Sequence, residues 1–307
     1  MELLLFLPLL LAGGLVLGGG GGGENDASDE PSEEAGEVQV GTSDGEELAG
    51  TVLNDILLGG NGRDLIEGLD GNDVVAGEFG NDMLTGDAGD DIVLGGGGND
   101  LLDGASGADL LIGGAGNDTL SGGSGDDVLI GSSGSNVLRG GGGDDTLIGF
   151  EYDRLGDQLQ EVSGELRGAL DRSFGPLVTD PQLDRVSNSV TSGSVDERGA
   201  DALFGGIGDD LLLGDDGDTL TGGEGDDDFD IAYRPGDAVT TITDFDYRIE
   251  SLFLYVDNPD SASVSLVGDG PDTTLILIDG VVAVRLIGQS VADLSANTQP
   301  WLDLQAA

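Results

Sequence analysis

Between Gly50 and Ile148 the chain places an aliphatic residue at every ninth position: Leu57, Ile66, Val75, Leu84, Val93, Leu102, Leu111, Leu120, Leu129, Leu138 and Leu147. Its neighbours on either side vary between polar and apolar. A triplet with one constant apolar position is too short for a helix. It suits a short strand whose middle side chain points inward and whose outer two point away. The intervening residues are mostly glycine and aspartate, which predict turns. Residues 95–121 show the register: GGGGNDLLD, GASGADLLI, GGAGNDTLS.

Eleven such nonapeptides follow one another without a gap. Column one is Gly in all eleven, and column four is Gly in ten, with Leu53 the exception. A weaker copy, GTSDGEELA, precedes them at residues 41–49. After an interruption the repeats resume as DERGADALF (196–204), GGIGDDLLL (205–213), GDDGDTLT (214–221, one residue short) and GGEGDDDFD (222–230).

Column nine carries a second period. It reads Leu58, Glu67, Ala76, Thr85, Leu94, Asp103, Ile112, Ser121, Ile130, Arg139, Ile148, so apolar or small residues alternate with polar ones. A plain nine-residue period would not produce this, whereas two unlike sheets would. Turn, strand, turn, strand makes a coil of 18 residues. The predicted fold is all-β: a parallel β-roll, or β-solenoid, with a small β-rich C-terminal cap. In the odd repeats columns seven and nine are both mostly apolar, as in Ile56/Leu58, Val74/Ala76, Ile92/Leu94, Leu110/Ile112 and Val128/Ile130. That predicts an apolar outer face on one sheet, an expected contact surface for another part of the chain, a protein partner or a second copy.

Composition narrows the chemistry. The net charge is −51, with ten basic residues, all arginine, and no His or Cys. Imidazole-based nucleophile pairs are absent. So are His/Cys zinc sites and disulfides. Nucleic acid is not an expected partner for so acidic a surface. Carboxylate and carbonyl oxygens remain, the ligands of calcium.

Column six gathers the carboxylates. Stacking coils about 4.8 Å apart aligns Asp55, Asp73, Asp91, Asp109, Asp127 and Asp145 along one edge, and Asp64, Asp82, Asp100, Asp118 and Asn136 along the other. Asp201, Asp210, Asp218 and Asp227 hold the same column in the later repeats. Unit charges at that spacing repel by about 1 kcal/mol in water and about 3.5 at an effective dielectric near 20. A calcium ion between successive turns, held by carboxylates and turn carbonyls, converts repulsion to attraction and couples binding to folding. Several ions are expected, about one per repeat turn. Magnesium demands a tight octahedron and fits poorly. Asn136 supplies no charge, so its sites are expected to be weakest.

These columns resemble the GGxGxDxUx nonapeptide of the RTX (repeats-in-toxin) family, over residues 41–148 and 205–230. The resemblance implies a calcium-loaded parallel β-roll with the column-six residues as side-chain ligands. It also implies export from a Gram-negative cell by type I (ABC-transporter) machinery, with folding outside. Column two departs from the motif at Leu69, Glu78 and Asp87, where individual turns are expected to distort.

The remaining segments complete the expected division: 1–40, 41–148 (roll), 149–198 (insertion), 199–230 (repeats resumed) and 231–307 (C-terminal cap and secretion-signal region). Residues 3–23 carry no charge and include the glycine run 18–23, and an acidic linker follows. They are the one segment expected to touch a membrane, as leader or anchor. In the insertion Leu159, Val162, Leu166 and Leu170 fall at helical spacing. Beyond the repeats TTITDFDY, SLFLYV, SVSLVG, TTLILID and VVAVRLIG read as strands. The expected protein is a secreted calcium-binding structural or interaction protein without catalysis. The competing expectations are a carboxylate-based glycosidase carrying an accessory roll, and an adhesin or ice-binding solenoid.

Overall fold

The computed structural model describes residues 36–149, 199–256, 259, 261–296 and 301–306. The expected N-terminal leader and the insertion helix lie outside these residues. Every second strand joins the same sheet, so the chain winds as a roll of two parallel sheets. Sheet one runs β1 (Val38–Val40), β3 (Ile56–Asn61), β5 (Val74–Phe79), β7 (Ile92–Gly97), β9 (Leu110–Ala115), β11 (Val128–Ser133), β13 (Thr146–Ile148), β15 (Leu211–Gly214), β17 (Asp228–Ala232), β19 (Ser251–Val256) and β23 (Leu302–Ala306). Sheet two runs β2 (Glu47–Ala49), β4 (Leu65–Asp70), β6 (Met83–Ala88), β8 (Leu101–Ser106), β10 (Thr119–Ser124), β12 (Val137–Gly142), β14 (Ala202–Ile207), β16 (Thr219–Glu224), β18 (Thr240–Ile242) and β22 (Val281–Ile287). Two antiparallel strands, β21 (Thr273–Ile278) and β20 (Val264–Gly268), close it.

The core is a single file of column-eight side chains between the sheets, from Leu57 through Leu147, Leu203, Leu212 and Leu220 to Phe229, all essentially without solvent exposure. At the C-terminal end the file widens. Phe229 meets Phe245, and Phe245 meets Trp301, edge-to-face with centroids 5.9 Å apart. The pairing register is the 18-residue coil itself, for example Ile92 with Leu110 and Leu94 with Ile112. Across the insertion it jumps without a fault: Leu147 pairs with Leu212, and Leu138 with Leu203.

The strands are longer than the predicted triplet. Ladder pairing continues through columns one to three, as in Gly60 with Glu78 and Asn61 with Phe79. Column two bends the strand through positive φ, yet Leu69, Glu78, Asp87, Ala105 and Ser132 adopt it, at φ 70–82°. Their pairing register is undisturbed, so the expected distortion does not occur. Column four is stricter. Gly98 has φ 145°, and a methyl group there would lie 1.2 Å from the Gly80 carbonyl oxygen one coil below. Only glycine meets both conditions.

Three further differences concern boundaries and faces. The roll begins before residue 41, because Val38 pairs with Ile56. It also continues past residue 230, since β19 and β23 extend sheet one while β18 and β22 extend sheet two. The insertion interrupts a single nonapeptide: Gly149 stands in column one, Gly199 packs on Gly134 as a column-four residue, and Asp201 holds column six. Finally, the apolar outer face of sheet one is buried, with Leu58, Ala76, Leu94 and Ile112 fully enclosed. The C-terminal strands lengthen the sheets edge to edge and do not lie over that face. Sheet two differs: Met83, Leu101 and Phe204 are exposed, and Arg139 stacks on the Phe204 ring at 5.4 Å. Among the described residues no helix is long and apolar enough to cross a membrane.

Burial sets unequal costs within one strand. Leu102→Ala should lower stability by about 2–5 kcal/mol, whereas Leu101→Ala, 44 % exposed, should cost about 0.5 kcal/mol or less. Thermal denaturation of the two variants checks this.

Candidate metal centre

All fifteen column-six residues are buried. They form two ladders, one along each edge of the roll. On one edge the amide of each Asp donates to Oδ1 of the Asp one coil on: Asp55 to Asp73 (2.7 Å), Asp73 to Asp91 (2.7 Å), Asp91 to Asp109 (2.8 Å), Asp109 to Asp127 (2.9 Å) and Asp127 to Asp145 (2.9 Å). Asp145 donates to Asp210, and Asp210 to Asp227. The other ladder runs from Asp64 through Asp82, Asp100, Asp118, Asn136 and Asp201 to Asp218. The insertion breaks neither.

One oxygen of each carboxylate is thus satisfied by the backbone. The other is not. Oδ2 of Asp64, Asp73, Asp82, Asp91, Asp100, Asp109, Asp118, Asp127, Asp145, Asp210 and Asp227 is buried without a hydrogen-bond partner. Each faces the column-one glycine of its own repeat. A methyl group at Gly59 would lie 2.4 Å from Asp64 Oδ2 and 2.9 Å from the Gly77 carbonyl oxygen of the next coil. At Gly77 the same distances, to Asp82 Oδ2 and the Gly95 carbonyl, are 2.4 and 2.9 Å. Column one has ordinary φ, so glycine is needed there for space and not for conformation. The space it leaves is bordered by an anionic oxygen and a carbonyl oxygen.

Those donors fit calcium, which takes six to eight oxygens, carbonyls included, in flexible geometry. Among the described residues no three Asp, Glu, His or Cys side chains converge on one point. The side chains alone therefore do not make a cage, and backbone oxygens must supply much of the coordination. When bound, the ion would supply the positive charge that this enclosed oxygen lacks.

Four positions depart from the pattern, and each departure begins as an irregularity in sequence. Asp55 belongs to the repeat with Leu53 in column four, and its Oδ2 accepts from the Thr51 amide (2.5 Å) and hydroxyl (3.1 Å). Asp218 belongs to the shortened repeat, and its Oδ2 accepts from the Asp215 amide at 2.7 Å. Both oxygens are therefore already partnered. Asp201, in the repeat split by the insertion, places Oδ2 3.0 Å from a methyl group built on Gly149. Asn136 turns a partnerless Nδ2 toward Gly131, where other repeats present an anionic oxygen. A donor in that place repels a cation.

A second ladder was not anticipated. Column five carries Asn or Asp at most positions, and its side-chain oxygen accepts from the column-five amide one coil on. Asn54 takes the Asn72 amide (2.9 Å), Asn81 that of Asn99 (2.8 Å) and Asn99 that of Asn117 (2.9 Å). The signal was available as the recurrent Asn or Asp before column six.

Burial raises the following column-six carboxyls from the usual 3.8, with neighbouring carboxylates adding to it in most. Asp82 and Asp145 rise to about 6 and Asp73, Asp100, Asp109, Asp118, Asp210 and Asp218 to about 7. Asp91 and Asp127 rise to about 8, and Asp201 to about 9. A raised carboxyl stabilises the fold in its protonated form, so that stability is fully present below pH 4 and lost as pH rises through 6 to 9. In chelator, the melting temperature should fall between pH 5 and pH 8. With saturating calcium the fall should shrink or reverse, because deprotonation frees the oxygen for the ion. Thermal melts at the two pH values, with and without calcium, check the sign.

Comparison with known proteins agrees with the geometry. Residues 49–84, 85–120, 121–149 and 195–218 match, in four copies, the model of the RTX calcium-binding nonapeptide repeat. No curated protein matches the chain. These segments, whose column-six carboxylates line both edges of the roll, are RTX calcium-binding nonapeptide repeats.

Proposed function

We propose that this calcium-binding repeat protein is secreted and that its roll folds on binding calcium outside the cell, where it serves a structural or interaction role without catalysis. One observation carries the reading: eleven buried Asp Oδ2 atoms have no hydrogen-bond partner, each beside a column-one glycine. A carboxylate so placed must hold a proton or a cation. At neutral pH and low calcium the roll pays the desolvation cost repeatedly. In extracellular calcium that cost is offset at each coil. Export by type I machinery follows from the family resemblance, and folding outside follows from the coupling of metal to fold. The absence of imidazole and thiol from the chain supports a role without catalysis.

Within this array the residues divide by role. Asp64, Asp73, Asp82, Asp91, Asp100, Asp109, Asp118, Asp127, Asp145, Asp210 and Asp227 present a free carboxylate oxygen. Asp55 and Asp218 do so only by giving up bonds to Thr51 and Asp215, and they are the weaker ligands. Asn136 weakens the sites it borders.

Circular dichroism of the full chain should change from disordered to β on adding millimolar calcium and not on adding magnesium. A β spectrum that persists in excess chelator at pH 8 overturns the reading. Asn136→Asp should add bound calcium or tighten binding by isothermal titration.

A further inference from the structure

The roll continues past its last recognisable nonapeptide, and the register identifies the residues that take over. In sheet two Thr219 pairs with Thr241 and Leu220 with Ile242. Thr221 Oγ1 lies 2.7 Å from Thr243 Oγ1. One step further, Asp244 stands beside Gly222, in column one of the next coil. In sheet one Asp228 pairs with Ser251 and Phe229 with Leu252. One step back, Glu250 stands beside Asp227, in column six. Ile242 and Leu252 fill column eight and are fully buried. The stretch DFDYRIESLF, residues 244–253, is thus one more repeat with a residue inserted. It has Asp where the others have glycine and Glu where they have Asp.

The acidic groups of this coil meet the last orphaned oxygen of the array. Asp227 Oδ2 is fully buried and has no hydrogen-bond partner. A methyl group at Gly222 would lie 2.1 Å from it. The amides of Gly222 and Gly223 donate to the Asp244 carboxylate, at 3.0 and 3.1 Å. Asp227 Oδ2 and the Asp244 carboxylate therefore both lie against Gly222. Glu250 is 6 % exposed and is held by the Asp246 amide, 2.6 Å from Oε2. Burial, together with the charges of Asp227, Asp244 and Asp246, pushes its carboxyl up to about 8. Asp246 is paired with Arg248.

We propose that a divalent cation, calcium, binds at the unpartnered Asp227 Oδ2, with Asp244 and Glu250 of the degenerate coil supplying negative charge beside it where the regular coils have glycine and aspartate. The proposal rests on the calcium reading of the roll and extends it beyond residue 230. The acidic groups belong to successive coils, as elsewhere in the array, and do not form a compact three-carboxylate cluster. Its consequence is that calcium ties the C-terminal strands to the repeats, since Glu250 directly precedes β19.

The test is calcium titration of the full chain by isothermal calorimetry at pH 8, with thermal melts in calcium at pH 8 and in chelator at pH 5, where the buried carboxyls keep their protons. Glu250→Gln keeps an acceptor for the Asp246 amide and removes the charge. The variant should bind one calcium fewer than the parent. It should melt lower than the parent in calcium and no lower in chelator, whereas a purely structural defect would lower both. Asp272→Asn, an exposed change in the same region, should leave both readings unchanged. Should Glu250→Gln unfold under both conditions, Asp244→Asn, at an exposed position, carries the same expectation of one lost ion. A parental ion count and a parental calcium-induced rise in melting temperature would overturn the proposal. A parent that binds no calcium at all would instead overturn the reading of the whole roll, and this site with it.

Discussion

A carboxylate withdrawn from water keeps its charge only if something else replaces the water. In this roll the replacement is half complete. The backbone amide of the preceding coil supplies one hydrogen bond to Oδ1, while Oδ2 is buried against the column-one glycine without a hydrogen-bond partner. Much of the architecture follows from that imbalance. Column one must be glycine because a methyl group would occupy the space beside the oxygen. The carboxyls hold their protons far above the usual range because burial penalises the anion. The same penalty, repeated along both edges, is the basis for proposing that a divalent cation stabilises the fold.

The roll is also quasi-one-dimensional. Each coil contacts chiefly the coils before and after it, so its stability is a sum of local terms and nearest-neighbour terms. This explains how an excursion of tens of residues enters a turn between Gly149 and Gly199 without disturbing the ladder on either side. The two sheets need only find the next edge in register. It also explains why irregular repeats have local consequences. Leu53 in column four and the missing residue before Asp218 each close one carboxylate with a nearby amide, and the neighbouring coils keep the regular arrangement.

The three glycine columns illustrate how one residue type answers three demands. Column one needs room, column two needs a positive φ that Leu69 and Glu78 also reach, and column four needs both an extreme φ and close approach to the coil below. A motif written only as recurrent glycine conceals those differences. They decide which departures are tolerated: column two varies freely, and column four hardly at all.

What the amino-acid sequence determined by itself was everything periodic. The nine-residue spacing of Leu57 to Leu147 set the inward file, the alternation in column nine set two unlike sheets, and column six set the aligned carboxylates. Periodicity is a local property repeated, and it survives translation along the chain. Tertiary structure alone decided what depends on a partner in the next coil. Only the stacked coils show that Oδ1 is bonded while Oδ2 is not, and that Ile56 and Leu94 are enclosed on their outer face. Only the register shows that Asp244 and Glu250, whose sequence no longer resembles a repeat, stand in the columns of one. Contacts between residues 17 or more positions apart carry that information, and no nonapeptide read alone contains it.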